Sequence, residues 1–412
     1  MKAEQKGKNI ADVQRMNRSL VIRTIYRKGR TTRAKISKST GLNKATVTNI
    51  VGDLINWGLV REAGLISGSS GRRSIEIELA SEEYLIIGVW LTRHNLRMGV
   101  FDLKGEVCEL KHFNIGLYSV MDNVIEQMID EIKIVQNNLN GKHLLGVAVA
   151  LPGPYIKKDG EIALLTRRRE WQNIDILNRL RIETGLTVIS EHDAGAATMA
   201  EWMYTEQCND EVDMMCIMVS HGVGAGVIEK GKLLTGCAGL AGEIGHMSID
   251  YDGPQCECGN RGCLELYCTS HYARERVLEL KENYPDTICT DQFTAIEFAN
   301  AYRAGDALAI VIVNEIARYL GYGIANVVNL YNPKKIIIGD EISESGVEFL
   351  NVVKETVKER CLTKVYDNLE ITLSNLKYST LQGICIAFMN EMIERPEVFI
   401  RQCSDSIENQ SK

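Results

Sequence analysis

The chain has 412 residues, of which 45% are hydrophobic and 25% charged, with twelve cysteines and a net charge of −7. This composition is typical of a soluble protein with two or three packed domains, and it excludes a fibrous or disordered chain. The sequence contains neither an apolar run of about eighteen residues nor a signal peptide, which predicts a cytoplasmic protein with reduced cysteines and no membrane partner.

The charge is unevenly distributed along the chain. Residues 1–80 contain 16 Lys or Arg against 6 Asp or Glu, whereas the remaining 332 residues carry a net charge of −17. A basic N-terminal segment favours contact with a polyanion, and a solvated charged surface is the alternative.

The first 60 residues predict three short helices. We expect helices over 13–28 and 32–39, the second with Ala34 and Ile36 facing inward, and a third that follows a glycine. This spacing is typical of a helix-turn-helix. The outward face of the third helix carries small and hydrogen-bonding side chains suited to base edges and phosphates in a major groove. These residues are Lys44, Ala45, Thr46, Thr48 and Asn49.

A turn rich in Ser and Gly at 67–71 separates two alternating apolar segments and is followed by Arg72 and Arg73. The pattern predicts a hairpin with a basic tip, and therefore a winged helix-turn-helix domain over residues 1–80. The two arginines would reach the DNA backbone or the adjacent minor groove, with a pair of solvated arginines as the alternative.

From residue 84 onward, buried strands alternate with helices. Two hydrophobic strand pairs, each followed by a helix and a further strand, predict two α/β lobes with a cleft between them. We assign the lobes to residues 81–205 and 206–394, and a flexible tail to 395–412.

The most specific chemical signal lies at residues 246–263. His246, Cys256, Cys258 and Cys263 supply one nitrogen and three sulfur atoms within a short loop, which is a set of ligands typical of tetrahedral zinc. With all four positions filled by protein, such a zinc ion would be structural. Three buried thiols and a satisfied histidine are the alternative.

The run Gly-Leu-Ala-Gly-Glu-Ile-Gly-His at 239–246, followed by Cys-x-Cys-Gly-x-x-Gly-Cys-x-Glu at 256–265, resembles the ROK family of bacterial sugar kinases and sugar-responsive repressors. The resemblance covers almost the whole chain, and it implies an actin-like body of two lobes in which the zinc loop braces a sugar pocket. Two further motifs, at 151–154 and 190–197, resemble the family's loops beside the sugar. Together they imply six sugar-binding residues, which are Gly153, His192, Asp193, Glu243, His246 and Glu265.

Several of these residues have a second interpretation. In the family's kinases the aspartate that matches Asp193 is the general base, but Asp193 is also placed to cap the following helix. Glu243 and Glu265 could be solvated loop carboxylates. His192 replaces the family's asparagine, so the resemblance does not identify the sugar. Arginines 167–169 could meet an acidic sugar at the cleft mouth, although a surface loop is the alternative.

The phosphate-binding motif of the family's kinases is altered. Residues 90–94 read Trp-Leu-Thr-Arg-His where the kinases have Asp-x-Gly-Gly-Thr, and Asp340 replaces a glycine on the nucleotide side. These changes remove the positioning and the charge neutralisation on which phosphoryl transfer depends. The glycines over 222–226 are retained, and we interpret them as a tight turn between strands. The sequence therefore predicts a protein that is not an enzyme.

The hypothesis is an α/β protein with an N-terminal winged helix-turn-helix that acts as a sugar-responsive repressor of carbohydrate-utilisation genes. Its expected partners are operator DNA and a monosaccharide or sugar derivative. We expect a homodimer, with a tetramer as the alternative, because two recognition helices would meet a pseudo-palindromic operator. One rival hypothesis is an ATP-dependent sugar kinase with a fused DNA-binding head. Another is a DNA-binding protein whose body only dimerises.

Overall fold

The computed structural model describes residues 9–67, 73–116, 119–156, 161–162, 171 and 174–396. These residues form an N-terminal head and two α/β lobes that face each other across a cleft.

The head consists of three helices and a three-stranded antiparallel sheet of order β1-β3-β2. Its elements are α1 (Ile10–Lys28), β1 (Thr31–Thr32), α2 (Arg33–Thr40), α3 (Lys44–Asn56), β2 (Val60–Ser67) and β3 (Arg73–Leu79). The Asn43 side chain caps α3 by accepting a hydrogen bond from the backbone N–H of Thr46 at 2.8 Å.

The apolar core of the head, to which α2 contributes little, is continuous with apolar residues of the first lobe. Ile36 is fully buried against α1 and α3, as expected. Ala34 is exposed, so the prediction that it faces inward is wrong. The reason is helical spacing, because residues two positions apart point about 200° apart around a helix, so Ala34 faces away when Ile36 faces the core. Arg72 lies outside the described residues.

The first lobe is built on a five-stranded sheet of order β10-β7-β4-β5-β6. Its elements are β4 (Tyr84–Leu91), β5 (Asn95–Asp102), β6 (Val107–Asn114), α4 (Met121–Asn137), β7 (His143–Leu151), β8 (Tyr155–Ile156), β9 (Glu161–Ile162), α5 (Ile176–Thr184) and β10 (Thr187–His192). Helix α6 (Asp193–Tyr204) follows β10 directly and packs on the sheet of the second lobe. Strands β4 to β6 form an antiparallel meander, while β7 and β10 run parallel to β4. Helices α4 and α5 cover one face of this sheet.

The second lobe repeats this pattern with a sheet of order β13-β12-β11-β14-β15. Its elements are β11 (Met214–Val219), β12 (Val223–Glu229), β13 (Lys232–Leu233), α7 (Glu265–Cys268), α8 (Ser270–Leu280), α9 (Ala295–Arg303), α10 (Ala307–Tyr331), β14 (Lys335–Gly339), α11 (Val347–Arg360), α12 (Thr363–Tyr366), β15 (Glu370–Leu373) and α13 (Ser379–Glu394). Among the described residues, α10 alone is long and apolar enough to cross a membrane, but it packs inside the core of this lobe.

The last helix, α13, returns to the first lobe. It packs against α6 and against strands β4 and β7, whereas its place in the sequence had assigned it to the second lobe. The contact with α6 is close, because a β-carbon at Gly383 would lie 1.7 Å from the carbonyl oxygen of Ala196. Sequence order does not reveal such a long-range return.

Candidate functional site

A cleft of about 780 Å³, part of which is open to solvent, lies between the two lobes. Its walls include the turns that follow five strands, which are β4, β7 and β10 of the first lobe and β11 and β14 of the second. Within each lobe these strands run parallel, so their carboxyl ends meet at one edge of the sheet. This edge is the usual place for a ligand site in an α/β sheet.

All six residues that the sequence predicts to bind sugar line this cleft. They are Gly153, His192, Asp193, Glu243, His246 and Glu265. The first three follow strands of the first lobe, and the other three come from the second-lobe segment between β13 and α7. The structure therefore brings residues more than 100 positions apart in the sequence into one site.

His192 of the first lobe lies close to Asp193 and to Glu243 of the second-lobe segment. The imidazole Nε2 of His192 lies 3.3 Å from Oδ1 of Asp193 and 3.9 Å from Oε1 of Glu243. Oδ1 of Asp193 also accepts a hydrogen bond from the N–H of Ala194 at 2.7 Å, so this carboxylate stabilises the start of α6 and faces the cleft. Burial raises the pKa of Glu243, and this effect is opposed by His192 and His246.

The predicted metal ligands form a compact cluster behind the cleft. One ligand atom from each of His246, Cys256, Cys258 and Cys263 lies within 4.8 Å of all the others. Nδ1 of His246 is 3.8 Å from Sγ of Cys256, and Sγ of Cys258 is 3.7 Å from Sγ of Cys263. Three thiols and an imidazole at these separations fit a four-coordinate zinc ion. Because Nδ1 faces the sulfur atoms, Nε2 is the nitrogen left for a ligand in the cleft.

The metal cluster and the cleft share a wall. Oε1 of Glu265 lies 3.6 Å from Nδ1 of His246 and 3.5 Å from Sγ of Cys256. Gly262 allows the loop to fold this tightly, since its φ is 60° and a β-carbon there would lie 1.7 Å from the carbonyl oxygen of Asp250. In the protein without metal, burial raises the pKa of Cys263 to about 11. A bound zinc ion would favour the thiolate instead.

The other end of the cleft contains charged residues that sequence reasoning missed. Arg97 on β5 stands opposite Trp90 on β4, and its guanidinium lies 4.7 Å from the centre of the indole ring. Glu341 follows Asp340 at the end of β14. Burial and the neighbouring Glu341 raise the pKa of Asp340 to about 7, while Arg97 opposes the shift. The pairing of Trp90 with Arg97 depends on strand register, which the sequence motif does not contain.

Two contacts cross the cleft where the altered phosphate motif lies. The rings of His94 and His221 are 4.5 Å apart at a steep angle, and Nδ1 of His221 lies 2.8 Å from Oγ of Ser270. A β-carbon at Gly222 would lie 3.0 Å from Nη1 of Arg93. Side chains from the first lobe therefore occupy the space beside the glycine turn of the second lobe.

The predicted DNA-contacting residues of α3 lie mainly on its exposed face. Lys44, Ala45, Thr48 and Asn49 are exposed, whereas Thr46 is half-buried at the capped start of the helix. The hydroxyl of Thr48 donates a hydrogen bond to the carbonyl oxygen of Lys44 at 2.8 Å. Of the two predicted wing arginines, Arg73 begins β3 and is exposed, and Arg72 is not described.

The fold and the cleft are those of a two-lobed α/β protein of the sugar-kinase type. Residues 86–387 match the ROK family, and the chain therefore belongs to this family. It is 30% identical over 393 residues to the xylose repressor of Caldicellulosiruptor bescii, with 93% of this chain and 98% of that protein covered. It is also 30% identical over 384 residues to the DNA-binding transcriptional dual regulator NagC of Escherichia coli, with 91% and 92% covered.

Solved structures place the chain in the same family. A ROK family transcriptional regulator, a homologue of the E. coli MLC protein, superposes with a TM-score of 0.81 at 26% identity, covering 95% of this chain and 99% of that one. A ROK family glucokinase from Streptomyces griseus, in complex with glucose and AMPPNP, gives a TM-score of 0.64 at 25% identity, covering 74% of this chain and 98% of that one.

Proposed function

We propose that this protein is a sugar-responsive transcriptional repressor of carbohydrate-utilisation genes. A winged helix-turn-helix over residues 1–80 binds operator DNA, and a sugar in the cleft controls that binding. The main support is that one chain combines two features. Its head is basic and has an exposed polar helix face, and its cleft is lined by all six residues of the predicted sugar site. Similarity over more than nine-tenths of the chain to the xylose repressor and to NagC supports it.

The chemistry of the cleft favours a neutral sugar or sugar derivative. Asp193, Glu243 and Glu265 offer carboxylate oxygens, which accept hydrogen bonds from the paired hydroxyls of a sugar. We propose that a structural zinc ion, bound by the His246 cluster, holds His246 and Glu265 in the geometry that distinguishes one sugar from another. Because protein side chains would fill all four coordination positions, the zinc ion would have no open position for a substrate.

The altered phosphate motif supports a sensor that is not an enzyme. In the family's kinases, glycines let the backbone approach the phosphates of ATP, whereas Arg93 and His94 place side chains in this region. The acidic side chains of Asp340 and Glu341 line the same part of the cleft. Phosphoryl transfer needs space here for the phosphates and their metal ion, and side chains of the first lobe occupy that space.

A sugar kinase with a fused DNA-binding head is the second candidate. The retained carboxylate of Asp193 at the cleft wall favours it, because this group could accept a proton from a sugar hydroxyl. A coupled assay of ATP use with D-xylose, D-glucose, N-acetyl-D-glucosamine and its 6-phosphate distinguishes the kinase from the repressor. Turnover that disappears in Asp193→Asn would establish the kinase, and we expect none.

We propose that the repressor acts as a cytoplasmic homodimer, so that two α3 helices meet two halves of one operator. Sugar binding would shift an equilibrium between an open and a closed cleft. Inverting a population from 1:99 to 99:1 requires about 5.5 kcal/mol of differential binding, which several hydrogen bonds made only in the closed form can supply.

The experiment that tests the proposal has two steps. The full-length, zinc-loaded protein first selects a DNA duplex from a random pool. The affinity for that duplex is then measured with and without D-xylose, D-glucose, N-acetyl-D-glucosamine and its 6-phosphate. We expect one of these sugars to change the affinity at least tenfold. Selection of no specific duplex, or an affinity that no sugar alters, contradicts the proposal.

A further inference from the structure

The head contacts both lobes at once. On the first-lobe side, Nη2 of Arg23 in α1 lies 3.7 Å from Oε1 of Glu394 in α13. The hydroxyl of Tyr84, in the first-lobe strand β4, donates a hydrogen bond to the carbonyl oxygen of Trp57 at 3.4 Å. The apolar core of the head continues into the residues of α13 and β4. Helix α13 lies on the first sheet, so these contacts join the head to the first lobe.

The carboxyl end of α1 contacts a different group of residues. Nη1 of Arg27 lies 3.2 Å and 3.3 Å from the two carboxylate oxygens of Asp210, and its guanidinium is 4.7 Å from the centre of the Trp202 ring. Asp210 lies against the turn between β12 and β13, because a β-carbon at Gly231 would be 2.0 Å from its Oδ1. Trp202 is buried and donates a hydrogen bond to the carbonyl oxygen of Asn209 at 3.2 Å.

Helix α6 connects this contact to the cleft. Asp193, its first residue, lines the cleft, and Trp202 lies nine residues further on, about 14 Å along a helix. The helix packs closely on the second sheet, since a β-carbon at Gly226 would lie 2.2 Å from Oγ1 of Thr198. Residues 194–202 are buried throughout, so α6 is held as one rigid element.

We propose that Arg27 is a positioning residue through which the second lobe sets the orientation of the head. When the cleft closes, α6 moves with the second sheet and carries the Trp202–Asp210 pair past the first lobe. The carboxyl end of α1 follows this pair through Arg27, while Arg23 and Trp57 stay with the first lobe. The head therefore rotates. This inference rests on the proposed function, since it describes how the cleft communicates with the DNA-binding surface.

The test compares Arg27→Gln and Asp210→Asn with Arg15→Gln. Arg15 is a matched control, because it lies on the same helix and forms an ion pair only with Asp12 of α1 among the described residues, at 3.6 Å. For each variant, calorimetry measures the affinity for the member of the sugar panel that gives the largest response in the wild type, with D-xylose tested first. Fluorescence anisotropy measures the affinity for the selected duplex with and without that sugar.

We expect Arg27→Gln and Asp210→Asn to bind both the sugar and the duplex within about twofold of the wild type. The ratio of duplex affinities with and without sugar falls at least fivefold in both variants, and Arg15→Gln keeps the wild-type ratio. If Arg27 only holds the head in place, its replacement would instead change the affinity for the duplex without sugar and leave the ratio unchanged. That result would overturn the inference. Because Asp210 is exposed, we expect Asp210→Asn to fold, and it tests the inference if Arg27→Gln does not fold. A wild-type protein without a response refutes the proposed function itself.

Discussion

Gly153 lies so close to His192 that a β-carbon at position 153 would stand 2.4 Å from the imidazole Nε2. The same β-carbon would lie 2.8 Å from Oε1 of Glu243. Both atoms are at the ends of side chains that line the cleft, so an added methyl group displaces them while the surrounding backbone stays in place. The absence of a side chain at Gly153 thus shapes the wall of the cleft at which we propose that the sugar binds.

We therefore expect Gly153→Ala to weaken sugar binding at least tenfold, measured by calorimetry, with a melting temperature within a few degrees of the wild type. Gly52→Ala is the matched control, because a β-carbon at Gly52 meets no atom within 4 Å. Undiminished sugar affinity in Gly153→Ala would show that this wall does not contact the ligand.

Removal of one metal ligand tests the zinc loop. Cys258→Ser should lower the zinc content, measured by mass spectrometry of the metal, from about one ion per chain to near zero, since zinc needs all four ligands to close its site. We expect sugar affinity to fall at least tenfold and duplex affinity to change less than threefold. Cys108→Ser, which alters an exposed cysteine away from the cluster, controls for the loss of a thiol. A zinc-free variant with full sugar response would refute the bracing role.

The buried carboxyl of Asp340 predicts a dependence of stability on pH. Its pKa is raised from an ordinary value of 3.8 to about 7, so the folded protein favours the protonated form. The stability that depends on this proton is present at low pH and is lost as the pH rises through about 7. Asp340→Asn should therefore gain stability relative to the wild type between pH 5 and pH 8, by at least about 1 kcal/mol.

Denaturant unfolding at both pH values, with zinc present, measures this difference. Asparagine is a suitable replacement because its side chain has the shape of an aspartate but carries no charge, so the substitution removes only the ionisation. A stability difference between the two proteins that is the same at pH 5 and pH 8 would mean that Asp340 is ionised throughout this range.

The exposed face of α3 predicts two kinds of DNA contact. Asn49→Ala should reduce affinity for the selected duplex at least tenfold and relax the base preference, because an amide reads base edges. Lys44→Ala should weaken binding to all sequences and lower the salt dependence by about one unit. Lys230→Ala, in the exposed turn of the second lobe, should leave both properties unchanged. Equal effects of Asn49→Ala on specific and random DNA would exclude base recognition by this residue.

The sequence predicts well those parts of the molecule that are determined by residues close together in the chain. The ligands His246 and Cys256 lie in one short loop, so their spacing already indicates a common site. The strands of both sheets and the cap of α3 are likewise determined by neighbouring residues. Asp193 was identified because a motif surrounds it, and the structure places it at the cleft wall.

The features that the sequence does not predict depend on contacts between distant segments. Arg97 enters the cleft because strand register sets it opposite Trp90. Helix α13 rejoins the first sheet after the whole second lobe, and no local pattern marks that return. Arg27 looks like one of many basic residues in the head until the fold brings Trp202 to it.

The contact between Gly383 and Ala196 lies along the seam between the lobes, since α13 rests on the first sheet and α6 on the second. Small residues line both helices at this seam, and Ala196 and Ala200 are fully buried there. At Gly383 the two helices touch through backbone atoms, and further along Met199 of α6 meets the side chain of Asn390 in α13 at 3.8 Å. Because any side chain at position 383 would push α13 away from α6, this glycine sets how closely the two lobes approach each other.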